Sequence, residues 1–178
     1  MPICYLQKDI QLEHLEEKNT PWYEIVEYLA NRWRNNKNNL QYLLRLGIQC
    51  WGYLVFFDLE SQNSESQLFY KSESYLSETL RYGLSCYNND IIFLCLYGYL
   101  ISLFPYYFSL TGDYDVDQQF GKNMIYKAHK IKPYDLLTVY LAKDSQMGIQ
   151  TKHQIKQNIS ILFPGNSEMD RYFKSVWG

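Results

Sequence analysis

The sequence predicts an all-α protein, a single domain over residues 1–178 made of seven or eight helices packed as α/α-hairpins. Three observations carry that prediction. Apolar residues recur at steps of three and four along most of the chain, the spacing of a helix face. No run alternates with period two between hairpin turns; VFF (55–57) and ISILF (159–163) are strand-like but sit inside helix-length patterns. Short clusters of Asn, Asp, Ser, Pro and Gly separate the apolar segments. The chain is 47% hydrophobic and 17% aromatic, with 18 tyrosines, so it has apolar surface enough to bury a core without disulfides.

The clearest helix start is TPWYEIVEYLANRW. Thr20 is placed to cap it and Pro21 to occupy its first position, where a missing N–H costs nothing. Trp22, Ile25, Val26, Leu29, Ala30 and Trp33 then form one stripe. The Asn-rich run 35–39 ends it and supplies the next cap. A second helix fits Leu40 to Leu59, broken by ESQNSES, and a third fits Gln67 to Tyr87, with Ser72–Ser74 as a place for a kink. Asn88, Asn89 and Asp90 make a turn ending in an N-cap. An apolar helix follows from Ile91 and runs to near TGDYD. Asp113 or Asp115 caps the next, which reaches about Lys132 before Pro133. Pro133-Tyr134-Asp135 opens LLTVYLAKD. Two more helices, KHQIKQNISILF and SEMDRYFKSVW, lie either side of Pro164 and Gly165.

Residues 91–110, IIFLCLYGYLISLFPYYFSL, have the length and hydropathy of a membrane span. Pro105 interrupts them, Tyr97, Tyr99, Tyr106 and Tyr107 are spread through them, and aspartates flank both ends without a basic cluster. The expectation is a central core helix of a soluble protein, apolar all round because other helices surround it. The start, MPICYLQKDIQLEHLEEKN, lacks a basic stretch followed by an apolar one, so a signal peptide is not expected.

No catalytic motif is present: there is no G-x-S-x-G, no phosphate-binding glycine loop and no dinucleotide fingerprint. Cys4, Cys50, Cys86 and Cys95 include no C-x-x-C pair, which favours free thiols in a reducing cytoplasm over a zinc site. His14, His129 and His153 form no close ligand pair. Asp113, Asp115 and Asp117 match the start of an EF-hand loop. However, Gln118 stands where the glycine is needed and Met124 where the bidentate glutamate is needed, so calcium binding is not expected. Two readings remain for these aspartates: helix capping, or contact with a basic partner. No cofactor is implied.

Residues 1–120 hold 15 acids and 8 bases, whereas residues 121–178 hold 4 acids and 9 bases. Neither part has the dense Lys/Arg stripe of a nucleic-acid binder. Ordinary solvated faces explain this asymmetry, as does an acidic surface that steers a basic partner. In the second case the contact residues are Glu13, Glu16 and Glu17 with Asp113, Asp115 and Asp117. Tyr106, Tyr107 and Tyr114 are then aromatic anchors. Tyr23 and Tyr28 are further tyrosines that either anchor a partner or pack.

Two segments 46 residues apart share G-Y-L within an apolar helix, at Gly52-Tyr53-Leu54 and Gly98-Tyr99-Leu100, each followed by a second helix ending in a turn. The second unit, residues 91–135, resembles a tetratricopeptide (TPR) hairpin. Gly98 fits the small position of its first helix, and Gly121, Ile125, Ala128 and Pro133 fit the small, bulky, small and closing-proline positions of its second. Its first helix and turn are roughly eleven residues longer than the family pattern. That resemblance implies an adaptor that binds peptides in a groove. In overall character, as a small Asn-, Lys- and Tyr-rich helical chain without an enzyme motif, the protein resembles immunity proteins of bacterial polymorphic-toxin and contact-dependent inhibition systems. The resemblance implies a non-enzymatic cytoplasmic inhibitor that occludes the active site of one cognate toxin domain, such as a nuclease, with no direct contact to nucleic acid or membrane. The alternatives are the TPR-like adaptor and an enzyme with an unrecognised site.

Overall fold

Side-chain caps set most of the helix starts. The computed structural model describes residues 2–60, 67–108, 110–142 and 148–178. Among them are nine α-helices: α1 (Ile10–Glu17), α2 (Trp22–Asn35), α3 (Leu40–Glu60), α4 (Gln67–Cys86), α5 (Ile91–Leu103), α6 (Tyr114–Ile131), α7 (Leu136–Ala142), α8 (Gly148–Leu162) and α9 (Glu168–Trp177). Asn39 caps α3 through the amides of Gln41 and Tyr42, and Asp90 caps α5 through those of Ile92 and Phe93. Asp135 receives the amides of Leu137 and Thr138 at the start of α7. Ser167 and Asp170 form a reciprocal capping box at α9. At α6 the cap is Asp113, which accepts from Asp115 and Val116.

The all-α prediction holds, with four local corrections. The helix α1 was not expected; it buries only Leu12, so it has no apolar stripe to read. Thr20 does not cap α2: Pro21 takes the N-cap position, with no side-chain cap bond, and the helix begins at Trp22. The α8 helix begins at Gly148, ahead of the expected Lys152. The apolar helix from Ile91 stops at Leu103, well short of TGDYD. Phe104 precedes a proline and adopts φ −137°, ψ 69°, because the proline ring excludes the helical conformation from the residue before it. A 3-10 turn over Pro105–Phe108 follows. No helix of the described residues is long and apolar enough to cross a membrane. The turn at 61–66 and the last two residues of LLTVYLAKD fall outside the described residues.

The expectation for α5 as a surrounded core helix is met, since every residue from Phe93 to Ile101 is buried. Its closest partner is α6. A Cβ on Gly98 would lie 2.8 Å from the Gly121 carbonyl oxygen, and one on Gly121 would lie 2.7 Å from both the Gly98 carbonyl oxygen and the Ser102 amide. The two backbones touch, and only glycine allows it. The α3–α4 and α7–α8 pairs also pack together, and α9 closes against α3 and α8. The G-Y-L echo holds in burial, because Tyr53 and Tyr99, and Leu54 and Leu100, are all interior. It fails in contact: the Cβ position of Gly52 faces the thioether of Met169 in α9, not a second glycine.

A buried ion pair ties distant parts of the chain together. Arg45 of α3 is 3% exposed and Asp170 of α9 is fully enclosed. The guanidinium is bidentate on Asp170 at 3.0 and 3.1 Å, and it also donates to Ser167 Oγ and to the carbonyl of Gln7.

Candidate functional site

The acidic residues expected to meet a partner divide into two groups. In α1, Glu13 Oε1 accepts the Asn166 amide at 2.6 Å, and Glu16 Oε2 accepts the Glu168 amide at 2.7 Å. These two carboxylates bind α1 to the turn before α9, so they hold the fold together rather than facing outward. Glu17 does face solvent, beside His14.

Burial of Glu16 is the largest influence on its carboxyl group; the Glu168 amide and Arg171 favour its charge, while the Glu168 and Asp170 carboxylates oppose it, and the result is about 7. The folded chain therefore holds this proton more tightly than the unfolded chain. The stability this gives is complete below about pH 4.5 and is lost as pH rises through about 7. Glu16→Gln keeps an acceptor for Glu168 and removes the buried charge. Its thermal midpoint should exceed the parent's at pH 8 and equal it at pH 4.5; a difference independent of pH would refute the assignment.

The second group lies at the α5–α6 turn. Asp113 and Asp115 are exposed. Asp117 is enclosed by its own turn, where its carboxylate receives the Thr111 hydroxyl at 2.6 Å and the amides of Thr111 and Gly112. Burial opposes its charge, but these donors outweigh that effect and hold the carboxyl below the usual range. Asp117 is thus a turn organiser and leaves the set of surface residues. Tyr107 leaves it too: it is 3% exposed, and its hydroxyl donates to the Leu54 carbonyl at 3.0 Å. Tyr106 and Tyr114 remain open, at 56% and 51% exposure.

Packing adds residues that the sequence did not single out. Tyr106 lies against Tyr107 with ring centres 4.2 Å apart, and Tyr107 meets Phe69, which meets Tyr70. On the other side Tyr106 touches Phe104, then Trp51, then Phe56. An aromatic chain therefore runs from the end of α3 through the 3-10 turn to the start of α4. It emerges at Phe56, Tyr70 and Tyr106, with Leu103 also exposed. No Lys or Arg occurs from residue 82 to residue 121; the first base after the aspartates is Lys122 of α6, which donates to Gln118 Oε1 at 2.9 Å. Nothing in the sequence marked Phe56 or Tyr70, because both sit in tyrosine- and phenylalanine-rich helices where most rings are interior.

Of the other tyrosines, Tyr28 is half-buried and receives a bond from Arg32, while Tyr23 is exposed and donates to its neighbour Glu24. A cavity of about 410 Å³ lies between α7, α8 and α9, lined by Tyr140, Lys152, His153, Lys156 and Trp177 among others. The buried groups with the most strongly displaced ionisation, Tyr5, Cys50, Cys95, Tyr97 and Tyr99, are all raised chiefly by burial, and none lines this cavity. That pattern is one of core packing.

Compared with known protein families, curated proteins and solved structures, the chain matches none.

Proposed function

We propose that the protein is a binding protein that acts by covering a basic site on a single protein partner, as an immunity protein covers the active site of a toxin. The observation that carries this reading is the exposed aromatic and acidic surface around the α5–α6 turn. Tyr106, Tyr114, Asp113 and Asp115 are all exposed there, and no Lys or Arg occurs from residue 82 to residue 121. Large rings anchored on a packed scaffold lose little freedom on binding and contribute strongly to affinity. The acids would speed encounter with a basic catalytic cleft and orient it. A cytoplasmic location belongs to the same reading.

The test begins with capture of the tagged protein's partner from its native cytoplasm, followed by binding and protection assays on the purified pair. Tyr106→Ala and Asp115→Lys should each weaken binding about 30-fold or more, with the larger salt sensitivity in the parent. The partner should be toxic alone and harmless when co-expressed with the parent protein. Binding that ignores both substitutions, or a partner without toxicity, overturns the proposal.

A TPR-like adaptor is the second reading, favoured by the Gly98–Gly121 backbone contact within the α5–α6 pair. It predicts several weak peptide partners rather than one tight complex.

A further inference from the structure

We propose that the face made by α3, α5, α7 and the end of α8 is a groove for an extended peptide with adjacent aromatic and aliphatic side chains, and that residues 5–8 of this chain are its ligand. The segment before α1 has no helix or strand of its own. Its backbone is held instead by side chains of α3. Gln41 accepts the Gln7 amide at 2.8 Å and donates to the Tyr5 carbonyl at 3.4 Å, so one amide group reads the peptide backbone in both directions. Arg45 donates to the Gln7 carbonyl. The Tyr5 amide donates to the Leu162 carbonyl at 2.8 Å.

Two adjacent side chains are sunk into the groove. Tyr5 and Leu6 are fully buried, whereas Gln7 and Lys8 face outward. The Tyr5 ring stacks on Phe163, and its hydroxyl donates to Asp135, the cap of α7, beside Cys95 of α5. A single short segment thus touches three helix pairs, through a backbone clamp that is indifferent to sequence and a pocket that selects a ring.

The connection to the rest of the chain has the form of a hinge. After α1, Asn19 adopts φ 53°, in the left-handed region, and Pro21 follows two residues later. On the far side of that hinge, α1 is held to the turn before α9 by Glu13 and Glu16. Residues 2–17 therefore form an arm laid over the helical pairs, held also by the buried Leu12 and by the Asp9–Arg32 ion pair, and continuous with the rest of the chain through that turn. While the arm is docked, no other peptide can use this face.

The experiment uses the full-length chain with a specific protease site inserted between Lys18 and Asn19, cut after folding. Circular dichroism before and after cutting establishes that the helices persist. A fluorescent synthetic peptide of residues 2–17 is then added. The cut arm should co-elute with the body and exchange for the labelled peptide roughly 100-fold faster than the body unfolds, as expected of a sub-global opening. A Tyr5→Ala peptide should fail to compete. Exchange no faster than global unfolding, or loss of the helical signal on cutting, overturns the proposal and makes the arm an inseparable part of the core. Native-state hydrogen exchange on the unaltered chain gives an independent reading. The Tyr5 and Gln7 amides should open together, well before the amides of α5; protection equal to that of α5 would also overturn it.

Discussion

Replacing Arg45 by alanine is expected to destabilise the protein by about 3–5 kcal/mol, because it leaves a buried carboxylate without its cation. Asp170 is fully enclosed, and its two strongest partners are the two guanidinium nitrogens of Arg45. The Ser167 hydroxyl and amide remain after the substitution, but neither carries a compensating charge. The Gln7 carbonyl loses its donor at the same time, so the arm before α1 loosens with it. Urea denaturation measures the loss directly. Arg45→Met combined with Asp170→Asn removes both charges and keeps an acceptor for the α9 cap, so the double variant should recover a large part of the stability. A loss below about 1 kcal/mol for the single variant would mean that water reaches Asp170 once its cation is removed.

Gly121→Ala is the second large effect. Alanine ordinarily stabilises a helix interior by about 1 kcal/mol over glycine. Here the added methyl would lie 2.7 Å from two backbone atoms of α5, the Gly98 oxygen and the Ser102 nitrogen. Backbone atoms cannot rotate away, so the two most closely packed helices must separate. The expected net cost is about 3 kcal/mol by thermal or urea denaturation, against the sign of helix propensity. Gly52→Ala is the internal comparison. Its methyl meets only the Met169 thioether, the flexible part of a side chain, so the cost there should stay within about 1 kcal/mol. Equal costs at the two sites would show that loss of glycine, not backbone approach, governs the effect.

Much of the helical layout was legible residue by residue. The stripe from Ile25 to Trp33 is buried as its spacing requires, and Asn39, Asp90 and Asp113 cap the helices that follow them. Capping and periodicity are local, so they can be read locally. The end of α5 was misplaced although Pro105 was in view, because an apolar run on both sides of a proline looks continuous when only hydropathy is followed. The short α1 was missed because it has a single buried residue and is held from outside, by the amides of Asn166 and Glu168.

The candidate surface was less legible. Asp113, Asp115, Tyr106 and Tyr114 are exposed as a partner-binding set requires, whereas Asp117 and Tyr107, two positions further along or adjacent, are enclosed. Nothing in the tripeptide around each residue distinguishes them. Tyr107 is drawn inward by the Leu54 carbonyl and by Phe69, both from other helices, and Phe56 and Tyr70 join the surface through ring contacts between segments.

The sequence by itself determined that this chain is helical, roughly where the helices begin, and that its most apolar segment would become a core. Those properties follow from interactions among residues a few positions apart, which one strand of text contains. The tertiary structure alone decided which carboxylates are ligaments and which are free, which tyrosines are packed, and that Arg45 and Asp170, 125 residues apart, neutralise each other. Burial and pairing depend on which distant side chain arrives opposite, and that is a property of how the helices pack against one another.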